Sequence, residues 1–97
     1  MFDALFGNST ISKVLLYLCR YEEGYARQIA KHFSTSLNMV QKQLEKLELA
    51  GVLKSRFIGR TRLYRWDKDY PFKKELLTLL GRAFDVMPQK EVRKYYR

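Results

Sequence analysis

Cysteine is almost missing from this sequence: Cys19 is the single thiol among 97 residues. It can close no internal disulfide, and no paired-thiol zinc finger or ribbon can form around it. The usage fits a reducing cytoplasm, where the protein is expected to reside. Long apolar runs are missing as well. Nothing approaches the roughly 20 residues that a membrane-spanning helix needs, and the N-terminus has no basic region leading into a long apolar stretch. A soluble protein with no membrane partner is expected. Phosphate-binding glycine loops, a nucleophile elbow and a metalloprotease helix are absent. The close acid pairs, Glu22-Glu23 and Asp67 with Asp69, have no glycine-rich or histidine-bearing context for metal-assisted hydrolysis. The only histidine, His32, stands beside Phe33 with no catalytic partner in view and reads as a helix-end cap or surface residue. Neither enzymatic activity nor a cofactor is expected.

Acidic charge is also scarce, at 10 Asp plus Glu against 19 Lys plus Arg, a net +9. The chain carries −1 over residues 1–24, +2 over 25–51, and +4 over each of 52–70 and 71–97. A positive field concentrated in the second half suits a polyanion such as nucleic acid, where counterion release supplies affinity. At 46% hydrophobic and 14% aromatic residues the chain is too apolar for a disordered basic tail. A domain of this size buries only about 65% of its unfolded surface, so spare apolar faces favour oligomers, and a dimer is expected.

Ile11, Val14, Leu15 and Leu18 recur at helical spacing over about Ser9–Tyr21, with Asn8, Ser9 or Thr10 available as N-cap and Gly24 as a stop. Cys19 follows Leu18 and reads as a small core residue. Ala26, Ile29, Ala30 and Phe33 share one face of a second helix over Tyr25–Phe33. Ser34-Thr35-Ser36 then makes a turn and cap. A third helix over Leu37–Ala50 gathers Leu37, Val40, Leu44 and Leu47 on one side, and Gly51 closes it. Two helices around a short turn form a helix-turn-helix. Residues 52–58 and 62–66 are rich in β-branched and aromatic side chains and predict an antiparallel hairpin with a basic tip at Gly59-Arg60-Thr61. Pro71 is placed to open a last helix whose apolar stripe is wider than one small core covers, and Pro88 ends it. Residues 1–88 therefore form the domain. Residues 89–97 form a basic aromatic tail, readable as an arm on DNA, a helix extending a dimer interface, or disorder.

This order of elements resembles the winged helix-turn-helix regulators of bacteria and archaea, and specifically their arsenical-repressor-like group. The resemblance is carried by Tyr25-Ala26-Arg27-Gln28-Ile29-Ala30, by residues 36–47 from Ser36 to Leu47, by Ala50-Gly51-Val52-Leu53, and by Gly59-Arg60-Thr61-Arg62-Leu63-Tyr64. It implies a mainly α fold with a small β-hairpin (α+β), a third helix in the major groove, a wing at the minor groove or phosphates, and terminal helices that make a two-fold dimer. The paired-cysteine metal site of the group's metal sensors is missing. Leu5-Phe6-Gly7 is similar to small regulators that accompany minimal nucleotidyltransferases, which implies a separate nucleotidyltransferase or toxin partner; the chain itself has no nucleotidyltransferase motif. Leu37 departs from the group, where a polar residue often follows the hydroxyl cap.

At about 100° per residue from Val40, the side chains of Asn38, Gln41, Lys42 and Glu45 fall on the side away from Leu37, Leu44 and Leu47. Asn38 and Gln41 amides pair with adenine and Lys42 reaches guanine or phosphate, so these three are the candidate base readers. Lys46 joins them as a DNA-binding candidate. Leu37 and Met39 either touch a thymine methyl or pack inward. Ser36 combines a cap with a phosphate contact, and Tyr25 and Arg27 position the backbone. Arg60, Thr61 and Arg62 are the wing candidates, while Arg56 and Arg65 divide evenly between DNA contact and edge protection. Phe2, Leu5, Phe6, Phe72, Leu76, Leu79, Leu80 and Phe84 are the dimerisation candidates. The competing readings are a winged-helix protein-interaction module, and an RNA-binding protein stacking bases on Tyr95 or Tyr96.

Overall fold

The computed structural model describes residues 2–97. They form α1 (Asp3–Phe6), α2 (Ser9–Tyr21), β1 (Glu23–Tyr25), α3 (Ala26–Phe33), α4 (Leu37–Leu49), β2 (Leu53–Ile58), β3 (Thr61–Trp66), α5 (Lys73–Val86) and α6 (Gln89–Tyr95). Asn8 starts α2 by accepting the Ile11 amide at 2.8 Å on Oδ1, which satisfies one of the helix's orphan donors. The helix does not stop at Gly24. Its last turn closes at Glu22, which takes a left-handed φ of 72° and donates its amide to the Leu18 carbonyl at 2.9 Å. Gly24 is instead needed for close approach. A Cβ there would lie 2.9 Å from Tyr17 Cε1 and 3.3 Å from Ile29 Cδ1.

Gly24 lies in β1, a strand the hydrophobic pattern did not reveal. The sheet runs β1-β3-β2, antiparallel throughout, with Gly24 opposite Tyr64 and Ser55 opposite Tyr64 on the other side. The hairpin turns through Gly59 and Arg60, with Gly59 at φ 64°, the glycine-first geometry that matches strand twist. Pro71 lies in the turn before α5, which begins at Lys73.

The core joins α2, α3, α4, α5 and the inner sheet face through Leu15, Leu18, Ile29, Leu44, Leu53 and Leu80, all essentially inaccessible. The Trp66 indole donates to the Leu18 carbonyl at 2.9 Å, fastening β3 to α2 without leaving a buried N–H unpaired. Residues 89–97 pack back onto this core rather than projecting as an arm. Arg20 Nε donates to the Tyr96 carbonyl at 2.7 Å, and the Tyr21 hydroxyl donates to that of Tyr95 at 3.1 Å. His32, read as a cap or surface residue, is half-buried, and its Nε2 donates to the Tyr95 carbonyl at 2.6 Å. Tyr96 is 5% exposed, so its ring is closed to a stacking base. Burial, before its acidic and phenolic neighbours, drives the Tyr96 hydroxyl well above the ordinary phenol range.

Candidate nucleic-acid interface

The helix-turn-helix is built by local chemistry. Ser34 ends α3 at a left-handed φ of 52°, and Thr35 donates its amide to the Ala30 carbonyl at 2.9 Å. Ser36 then caps α4, its Oγ accepting the Met39 amide at 3.3 Å. Along α4 the pattern alternates as helical spacing requires: Val40, Leu44 and Leu47 are buried, while Asn38, Gln41, Lys42, Glu45 and Lys46 are exposed. Met39 stays on the outside at 48% exposure, whereas Leu37 is half-buried. Gln43, not singled out by spacing, is buried with its Oε1 unpartnered.

Between the start of α3, α4 and the wing lies an open recess of about 290 Å³. Five of the ten DNA-binding candidates line it: Arg27, Gln41, Arg60, Thr61 and Arg62. Asn38, Lys42 and Lys46 lie on the same exposed side of α4 but outside the recess. Tyr25 sits in β1, half-buried, with its amide donating to Gln28 Oε1 at 3.3 Å. Phe57, 63% exposed, also lines the recess and was not among the candidates; its place opposite Arg62 becomes visible only from the strand register.

The two wing arginines differ. Arg60 is exposed in the turn and has no ion-pair partner among the described residues. Arg62 is held from three sides. It donates to Ser55 Oγ at 3.0 Å, lies 4.3 Å from the Phe57 ring centroid, and faces Glu48 at 3.9 Å. Glu48 Oε2 in turn accepts the Ser55 amide at 3.0 Å and the Ser55 hydroxyl at 2.7 Å. Arg62 is therefore oriented in advance, and part of its charge is already answered. Burial first, then the Glu48 carboxylate, pushes the nearby Tyr64 hydroxyl up.

Of the dimerisation candidates, Leu5, Phe72 and Leu79 are exposed at 66%, 62% and 41%, and Val86, not foreseen, joins them at 66%. Phe2 and Phe6 are half-buried, with ring centroids 5.4 Å apart, and Leu76 and Phe84 pack partly on the core. Leu80 must be taken off the list. At 0% exposure it is enclosed by the chain's own core, because it turns inward where Leu79, one residue away, turns out. Cys19 is half-buried, with Sγ 3.9 Å from the Leu77 carbonyl, and burial pushes its thiol up. Among the described residues no group of three or more His, Cys, Asp or Glu is placed to hold a metal ion, and no helix is long and apolar enough to cross a membrane.

No family model and no curated protein sequence matches the chain. Solved structures do match. Reduced HlyU from Vibrio cholerae superposes with a TM-score of 0.67 at 14% identity, over 89% of this chain and 84% of HlyU. A point mutant of Lactococcus lactis ZitR gives 0.56 at 23% identity, over 89% of this chain and 66% of ZitR. The adhesin competence repressor AdcR of Streptococcus pyogenes gives 0.56 at 16% identity, over 95% and 78%. These neighbours are winged-helix transcription regulators, and the fold of this chain is accordingly a winged helix-turn-helix of α+β class. They lend no support to a nucleotidyltransferase partner.

Proposed function

We propose that this chain is a DNA-binding transcription regulator that acts as a homodimer on double-stranded DNA and carries no catalytic activity. In this reading α4 enters the major groove, with Asn38, Gln41 and Lys42 reading base edges, while Arg60 and Arg62 approach the adjacent minor groove or phosphates. Ser36, Tyr25, Arg27, Lys46 and Thr61 position the backbone. The observation that carries the reading is the recess, where a polar helix face and three arginines, against the one carboxylate of Glu45, line a single concave surface. Leu5, Phe72 and Leu79, with Val86, supply exposed apolar area for a second copy. A two-fold dimer then requires a palindromic site whose half-site centres are about 34–36 Å apart or a multiple of that.

The test is selection from a random duplex library, followed by binding of the enriched and scrambled duplexes at two salt concentrations. Enrichment of an inverted repeat, preferred over scrambled duplex by several kcal/mol, on the order of 4–10, is expected. Salt-sensitive binding without any sequence preference would refute the regulator and leave a protein-interaction or architectural module.

A further inference from the structure

The sheet has two faces, and the recess and core occupy mainly one; on the other, Leu63 is buried at 6% exposure among exposed cations. Strand alternation turns Leu53, Ser55, Phe57, Arg62, Tyr64 and Trp66 inward. Lys54, Arg56 and Arg65 stand on the opposite face, all exposed. Register sets them in two adjoining rows, Glu23–Arg65–Lys54 and Tyr25–Leu63–Arg56, each running across β1, β3 and β2. None of the three cations makes a side-chain hydrogen bond or ion pair among the described residues, and the one acid in these rows is Glu23.

Within the fold these charges are only partly answered: Glu23 stands directly across from Arg65, a favourable cross-strand relation, but no ion pair joins them among the described residues. Lys54 and Arg65 are directly opposite each other, and like charges in that relation destabilise a sheet. Cations on an edge strand discourage edge-to-edge pairing, which would explain Lys54 and Arg56 on β2. Edge protection does not reach Arg65, because β3 is the middle strand and is hydrogen-bonded on both sides; there Arg65 stands between Glu23 and Lys54, one charge of each sign. A polyanion laid across the face would relieve the repulsion and satisfy all three groups.

We propose that this outer face, through Lys54, Arg56 and Arg65, holds the phosphate backbone of the duplex that flanks the site read by α4. The proposal rests on the DNA-binding reading above but concerns a surface that faces away from the recess. A duplex seated on α4 is already tethered beside the wing, so its flank meets this face at high effective concentration, which a separate acidic chain would not. The flank must curve past the wing to reach it.

The experiment uses the full chain and its Lys54→Gln, Arg56→Gln, Arg65→Gln triple variant on two duplexes carrying the enriched site. One duplex ends at the site; the other extends about two helical turns, roughly 20 base pairs, beyond it on each side. The unaltered protein is expected to bind the longer duplex more tightly and with a steeper salt dependence, the slope rising by up to about 0.9 for each engaged cation. The variant is expected to bind both duplexes as the unaltered protein binds the short one. Thermal melting checks that the variant is folded; if it is not, Arg65→Gln alone is expected to remove about a third of the flank-dependent slope. Equal binding of the two duplexes by the unaltered protein, or full flank dependence in the folded variant, overturns the proposal. So does a variant that keeps its flank dependence but loses affinity for polyglutamate or single-stranded RNA, because the face then serves that ligand. Failure of the unaltered protein to bind either duplex removes the DNA-binding reading itself, a separate and recognisable outcome.

Discussion

Replacing Glu48 with Gln should tighten DNA binding, although it removes an ion pair. The carboxylate lies 3.9 Å from the Arg62 guanidinium, on side chains 42% and 32% exposed, so water screens the pair and its loss costs the fold no more than about 1 kcal/mol. The orientation of Arg62 survives the change. Ser55 Oγ and the Phe57 ring still hold the guanidinium, and the Gln oxygen can still accept from the Ser55 amide and hydroxyl. The difference is electrostatic. A phosphate bound on the far side of Arg62 would sit roughly 7 Å from the Glu48 carboxylate, where two like charges in water repel by about 0.6 kcal/mol. Removing that repulsion predicts a roughly three-fold gain in affinity at low salt, and the extra net positive charge steepens the salt dependence by up to about 0.9. Fluorescence anisotropy with the selected duplex, titrated across salt, reads both quantities. Unchanged or weaker binding of E48Q with an unchanged slope would show that Arg62 does not face phosphate in the complex.

Gln41→Ala or Asn38→Ala should cost about 1–3 kcal/mol on the selected site and little on scrambled duplex; equal losses on both would remove that residue from the readers. Arg60→Ala should weaken all duplexes alike and lower the salt slope by about 0.9, an outcome that an unchanged slope in the same titration contradicts. Gly24→Ala drives a methyl to 2.9 Å from Tyr17 Cε1 beside the inaccessible Ile29, so overpacking should cost about 1–3 kcal/mol, and Tm should fall by roughly 4–8 °C for each. A melting curve equal to that of the parent would show that the contact relaxes without cost. Leu79→Glu and Leu5→Glu, at positions 41% and 66% exposed, should leave the fold intact and shift sedimentation toward monomer; an undisturbed dimer would place the interface elsewhere.

Much of this arrangement is local and therefore legible in the residues. The bounds of α2 at Ser9 and Tyr21 follow from apolar spacing and a capping asparagine, both of which act within one or two turns. The same holds for the hydroxyl cap of α4, for the outward placing of Asn38, Gln41 and Lys42, and for the glycine turn of the wing. β1 is not legible in the residues because three are too few to show alternation, and the strand exists only through its pairing with β3, some 40 residues away. The tail was equally opaque: its three possible readings differ only in what Tyr95 and Tyr96 meet, and their partners Arg20, Tyr21 and His32 lie on α2 and α3.

Within the candidate site the division falls between neighbouring residues of one kind. Arg60 and Arg62 are both basic and two positions apart, yet the hairpin register leaves the first free and sets the second over Phe57 and against Ser55 and Glu48. Leu79 and Leu80 are the same residue type, and a turn of about 100° per residue sends one outward and the other into the core. Periodicity and capping act over a few residues and so reside in the chain itself, enough to establish the helix-turn-helix, its polar face and its basic wing. Pairing, register and enclosure depend on segments far apart in sequence, and they alone decide which arginine is pre-oriented, which leucine is available, and that the middle strand carries an exposed cation on its outer face, between Glu23 and Lys54.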